Sequence, residues 1–195
     1  MQFTTLGSNM ISNIENWANR SIVHKIAFCL CLSWFYALCS QCLIPLPLNL
    51  VPVTLQSVMF LFCAWLFGYS AVNAYFMYLI QGLLGAPFFS RFGSGAVHLL
   101  GPTGGYLIGW SISMFVMVLL RDPEPVFKAP SKIRLLISYW FCCILYYIFG
   151  LLQLACFVPS NKVLALGLYP FIFGDFVIKA IFILILTTVF QRRRS

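Results

Sequence analysis

Between Ile22 and Phe190 the sequence is a succession of apolar runs, most of them the length of a membrane-crossing helix. That pattern limits the fold more than any motif does. In hydrocarbon every backbone N–H and C=O needs a partner within the protein, which leaves helices or a closed barrel. A helix needs about 20 apolar residues to cross, fewer where its ends pack against neighbouring chain. Six segments are predicted, at 22–44, 53–67, 71–84, 104–120, 133–157 and 170–190. The second and third are short and form, as an alternative, one broken hairpin. Composition agrees: 62% of residues are hydrophobic and 8% are charged, against about 25% charged in a soluble domain. The expected fold is an all-α membrane protein of six transmembrane helices.

Basic residues set the orientation. Arg20 and Lys25 flank the first segment, Arg121, Lys128, Lys132 and Arg134 lie between the fourth and fifth, and Arg192, Arg193 and Arg194 close the chain. With six spans these nine of the twelve Lys and Arg share one side, and only Arg91 and Lys162 lie on the other. The positive-inside rule makes that side, and both termini, cytoplasmic. Residues 1–21 are expected as a polar cytoplasmic segment without a signal peptide, 22–191 as the membrane domain and 192–195 as a basic tail. The net charge of +8 is therefore topological, and nucleic-acid binding is excluded because little surface escapes lipid. The eight cysteines lie in apolar stretches and are read as isolated small hydrophobes without a C-x-x-C pair, with neither a zinc site nor a disulfide framework. No metal site is expected, and a lone histidine such as His98 makes none.

A few residues stand out against this background. Asp175 and Lys179 sit inside the sixth segment, where a charge costs about 2.5–3.5 kcal/mol on insertion scales. At i and i+4 they share a helix face, about 7 Å and 13 Å below its external end at Pro170. They either pair to hold the fold or line a pocket in the outer half of the bundle. The external stretch 85–103 is rich in Gly, Ser and Phe and reads as a lid. It carries Arg91, either an interfacial anchor or a planar clamp for a carboxylate. The "GPTGGY" stretch, Gly101 to Tyr106, reads as a tight re-entry into the fourth segment or as a small-residue helix contact. Cys29, Ser33 and Ala37 recur every fourth residue along the first segment, a stripe open to an internal or a partner helix. Asn73, Gln81 and Gln56 are polar residues in apolar segments and each needs a hydrogen-bond partner.

Other chemistries find no support. There is no Walker A lysine, no HExxH or GxSxG motif, and no second buried acid for hydrolysis. An integral membrane enzyme using Asp175 and Lys179 as an acid–base pair remains as an alternative, as does a structural membrane subunit.

Four stretches, "IPLPLNLVPVTLQS" (44–57), "LLGAPFFSRFGSG" (83–95), "LLGPTGGYLIGW" (99–110) and "LGLYPFIFGDFVIKA" (166–180), occur in that order. Together they resemble the BioY family, the biotin-binding S component of energy-coupling factor (ECF) vitamin transporters. The resemblance runs from about residue 22 to the C-terminus. It implies the six-helix S-component fold in the plasma membrane, no cofactor, and biotin as the transported ligand, bound near the external face. It implies that Arg91, Asp175 and Lys179 hold the ligand, although the family pattern G-D-x-x-K is here one residue longer, G-D-F-V-I-K. The carboxylate of biotin suits Arg91 and Lys179, Asp175 either orients the lysine or accepts a urea N–H, and the apolar rings suit Phe88, Phe89, Tyr78 and Tyr106, with Asn73, Gln81 and Gln56 in second rank. The family's partners are a transmembrane coupling protein and two ATPase subunits, with Cys29, Ser33 and Ala37 as the expected docking stripe. An S component for another small carboxylate vitamin is the neighbouring alternative.

Overall fold

The computed structural model describes residues 13, 17, 18, 20–44, 53–121 and 132–173. Five of the six predicted segments become the helices α1 (Ile22–Gln41), α2 (Gln56–Phe67), α3 (Tyr69–Leu83), α5 (Gly104–Leu120) and α6 (Lys132–Leu154). Of these, α1 and α6 are long and apolar enough to cross a membrane unaided. Two short helices, α4 (Ala96–Leu100) and α7 (Ser160–Gly167), stand between them, and α8 (Tyr169–Phe173) opens where the sixth segment was expected. The rest of that segment, with Asp175 and Lys179, lies outside the described residues.

The second and third segments are separate helices that run in opposite directions, a helical hairpin broken at a single residue. Gly68 divides them, with φ at +58° and its N–H bonded to the Ala64 carbonyl at 3.0 Å. A left-handed backbone there suits glycine. A Cβ would also meet the Arg121 guanidinium, which lies over this turn. An unexpected two-residue antiparallel ladder, Leu43–Ile44 against Val53–Thr54, closes the connection from α1 to α2. Next to it Leu55 N–H donates to the Cys42 carbonyl at 3.1 Å.

These connections define two ends. At one end the start of α1 meets the start of α3, where the Cys29 thiol donates to the Ser70 carbonyl, and Arg121 meets Gly68. At the other lie the end of α1, the start of α2, the 84–103 lid and the end of α6. Arg20, Lys25, Arg121 and Arg134 therefore share the first end and Arg91 and Lys162 the second, as the charge pattern requires.

An aromatic cluster fills the middle. Phe60 of α2 makes edge contacts with Tyr36 of α1 (4.8 Å), Tyr75 of α3 (4.8 Å) and Trp110 of α5 (5.4 Å). Each ring is buried, and edge-to-face packing suits their quadrupoles. The hydroxyl of Tyr75 donates to the Leu107 carbonyl at 2.9 Å, so this polar atom has a partner in the apolar core.

Among the described residues the most extensive helix contact is between α5 and α6. Gly105 and Gly109, one turn apart, face α6. A Cβ on Gly105 would strike the Phe149 carbonyl, and one on Gly109 would lie 2.8 Å from Tyr146 Cα. Close approach of backbones without a Cβ between them is how helices associate when both sides are equally apolar. One further turn along, Ser113 Oγ donates to the Cys142 carbonyl (2.9 Å) and Cys142 Sγ returns a bond to the Ser113 carbonyl (3.3 Å). Replacing Gly109 with Val forces the helices apart. We expect a loss of about 1–3 kcal/mol, read as a lowered thermal unfolding midpoint in detergent. Ser113→Ala is expected to cost about 1 kcal/mol in the same measurement.

Candidate functional site at the lid end of the bundle

The lid leaves α3 through Gly85, at φ +107°, and returns to the bundle through Phe88 and Phe89. Both rings are buried. Phe88 stacks on Tyr78 (6.2 Å, 17°) and meets Trp34 edge-on (5.4 Å). Phe89 meets Tyr78 edge-on (5.6 Å), stacks on His98 (5.1 Å, 17°) and lies over Gly82, where a Cβ would collide with the ring. The two rings anchor the lid.

Between them and the outside is a tight turn. Phe89 and Gly93 exchange backbone hydrogen bonds of 2.9 and 3.2 Å, and the 3-10 turn Ser90–Phe92 fills the loop they close. Arg91 (φ 58°, ψ 36°) and Phe92 (φ 56°) are both left-handed, which is uncommon for residues with a Cβ. Arg91 is exposed. It lines an open cavity of about 350 Å³ with Ser90, Gly93, Ser94, Val97, His98, Gly101, Pro102 and Thr103. The cavity offers an arginine, an imidazole and several hydroxyls beside Val97 and Pro102, which is chemistry suited to a small anion carrying an apolar body.

The polar groups beneath the lid are bonded. Gln56 Nε2 donates to the Tyr78 hydroxyl at 2.8 Å, and both residues are buried. Gln81 Nε2 donates to Ser33 Oγ (2.9 Å) and to the Met77 carbonyl (3.1 Å). Ser40 Oγ donates to the Phe88 carbonyl, and Gln41 bonds to both sides of the Arg91 turn. At the lid's far edge Gln153 Nε2 of α6 donates to the carbonyls of Leu99 (3.0 Å) and Gly101 (2.7 Å). Tyr106 is set apart from the lid rings. It lies over Gly150, and its hydroxyl donates to the Gly167 carbonyl at 2.8 Å. The glycines of "GPTGGY" thus serve both expected purposes: Gly104 sits under the Leu99 carbonyl at the re-entry, and Gly105 belongs to the helix contact.

Of the residues expected to bind ligand, Gln56, Tyr78, Phe88 and Phe89 come together under the lid, and Arg91 lies on its outer side. Gln81 is bonded inward to α1. Asn73 is not brought to them; it is exposed on the α3 face that also carries Tyr69, Phe76 and Ile80. Asp175 and Lys179 lie outside the described residues.

Two expectations are corrected. Cys29, Ser33 and Ala37 are buried against the chain's own α3, so the stripe is an internal contact and offers no surface for a coupling protein. Small residues repeated every fourth position serve either purpose, and the polar partner Gln81 decides it here. The cysteines are also not all isolated: Cys39 and Cys42 stand as C-x-x-C at the end of α1, the first buried and the second exposed. The residues that the sequence did not single out are Gln41 and Gln153. Each is the last polar residue before a helix ends, where a carboxamide reads as an ordinary boundary.

The fold is that of an ECF transporter S component. It matches the crystal structure of the S-component for biotin from an ECF-type ABC transporter with a TM-score of 0.75, at 24% identity, over 91% of this chain and 94% of that one. The BioY family pattern matches residues 10–195, and the chain belongs to the BioY family. It is 39% identical over 140 residues to the probable biotin transporter BioY of Pyrococcus horikoshii, and 30% identical over 142 residues to the biotin transporter BioY of Thermotoga maritima. Each alignment covers 69% of this chain and 78% of the relative. The chain is accordingly a membrane protein.

His98 gives the lid a pH dependence. Burial beside Phe89 pushes its imidazole below the ordinary value of 6.5. As pH falls through that value the unfolded chain takes up a proton that the folded lid resists, so stability drops until the lowered folded value is passed. The unfolding midpoint should fall between pH 7.5 and 5.5, and His98→Phe should flatten that slope.

Proposed function

We propose that this protein takes up biotin, binding it at the external face of the plasma membrane and delivering it inward with an ECF coupling module. Membership of the BioY family and the names carried by its relatives support the ligand. The observation that carries the reading is Arg91, exposed and lining a cavity of about 350 Å³ together with His98, which stacks on buried Phe89. A guanidinium offers a carboxylate two parallel donors, and Val97, Pro102 and the His98 ring give the cavity its apolar side.

In this reading Arg91 and Lys179 neutralise the carboxylate, and Asp175 orients Lys179 or accepts a urea N–H. Gln56, Gln81 and Tyr106 are already bonded within the bundle and do not line the cavity. Asn73, on the outer face, contributes little. The loaded bundle reorients on a transmembrane coupling protein served by two ATPase subunits, and biotin leaves on the cytoplasmic side. The transporter names of the relatives leave the acid–base enzyme reading of Asp175 and Lys179 without support.

Calorimetry with the purified, detergent-solubilised protein tests this. Biotin should bind tightly while lipoate, thiamine and riboflavin do not compete. Arg91→Ala, Asp175→Asn and Lys179→Ala should each weaken binding at least tenfold, about 1.4 kcal/mol. Binding of another carboxylate vitamin in place of biotin would change the ligand and keep the site. Parent-like binding in all three variants would remove the site as well.

A further inference from the structure

Arg91 and Phe92 are held in succession at φ 58° and 56°, a conformation that two side-chain-bearing residues do not adopt together without support. The Phe89–Gly93 pairing closes the base of the turn, and the Gly93 N–H also reaches the Ser90 carbonyl at 3.2 Å across Arg91 and Phe92. The tip is held from α1. Gln41 Oε1 accepts the Phe92 N–H at 3.0 Å, and Gln41 Nε2 donates to the Phe89 carbonyl at 3.0 Å. One carboxamide therefore grips the backbone on both sides of Arg91. Its orientation is forced, since the flipped amide would set oxygen against the Phe89 carbonyl and N–H against the Phe92 N–H. Ser40 fixes it further: Gln41 Nε2 also donates to Ser40 Oγ at 2.8 Å, and Ser40 in turn donates to the Phe88 carbonyl.

We infer that Gln41 is the positioning residue for Arg91. It transmits the rigidity of packed α1 to Arg91, the arginine that lines the cavity, and so sets the geometry with which a carboxylate is met. This rests on the reading of Arg91 as the carboxylate clamp. A residue that merely stabilises the lid would affect all ligands alike, whereas one that aims Arg91 affects the carboxylate alone.

The test uses the full chain in detergent, with two readouts. Amide hydrogen exchange at Phe92 is followed without ligand, and calorimetry compares biotin with biotin methyl ester, which lacks the charge. Gln41→Ala should speed Phe92 exchange at least tenfold while exchange in α2 and α5 stays parental. It should weaken biotin at least tenfold and leave the ester within about twofold, as Arg91→Ala does. Gln41→Asn, too short to span the turn, should behave alike and takes the place of Gln41→Ala if that variant does not fold. Gln41→Glu keeps the acceptor for Phe92 N–H and should retain much of the Phe92 protection and of the preference for biotin. Equal losses for both ligands, or unchanged Phe92 exchange in Gln41→Ala and Gln41→Asn, overturn the assignment. A parent that binds biotin no better than its ester instead overturns the carboxylate role of Arg91, and exchange at Phe92 still reports whether Gln41 holds the turn.

Discussion

Wherever this chain departs from the helix it uncovers backbone carbonyls beside an apolar bundle, and each needs a donor from within the protein. The lid is the longest described departure, and its carbonyls are met by side chains on neighbouring helices. Ser40 and Gln41 at the end of α1 serve Phe88 and Phe89, and Gln153 at the end of α6 serves Leu99 and Gly101. Glutamine suits this work because its carboxamide offers two donors and an acceptor on an uncharged stem. The shape of the candidate site follows from these bonds, because the rings of Phe88 and Phe89 can seat over Tyr78 only while the carbonyls beside them are satisfied.

Beneath the lid the two halves of the described bundle are joined differently. α1, α2 and α3 meet through aromatic rings centred on Phe60 and through the polar contacts of Ser33 and Tyr36. α5 and α6 meet backbone to backbone along Gly105 and Gly109. Ring contacts tolerate small sliding, whereas a glycine seam sets both separation and register, since any rotation brings a Cβ into it. Trp110 and Leu107 of α5 reach across to Phe60 and Tyr75 and link the two halves.

Much of this was readable in the sequence. The segment predicted at 104–120 coincides with α5, because Pro102 and the glycines punctuate an otherwise apolar run. The break between α3 and α5 was legible as a stretch of Gly, Ser and Phe between two spans, and Gln56 and Gln81 as residues that had to find partners. What was not legible depends on partners far along the chain. Gln41 bonds residues about fifty positions away, and nothing local distinguishes it from any polar residue at a helix end. The left-handed turn at Arg91 is imposed by those bonds and has no glycine to announce it. The direction faced by Cys29, Ser33 and Ala37 was undecidable because small residues pack equally well inward and outward. The short helices α4 and α7 are too brief for periodicity to reveal them.

The bond from Tyr106 to the Gly167 carbonyl has a mechanical meaning. Tyr106 opens α5 directly below the lid's far edge, and Gly167 ends α7, from which the chain runs on to Asp175. One phenol thus straps the segment behind the lid to the segment ahead of the last helix, and both are pinned to α6 through Gln153 and Gly150. The three act as a single joint, so a displacement of the lid's far edge large enough to carry α5 also pulls on α7 and the start of α8.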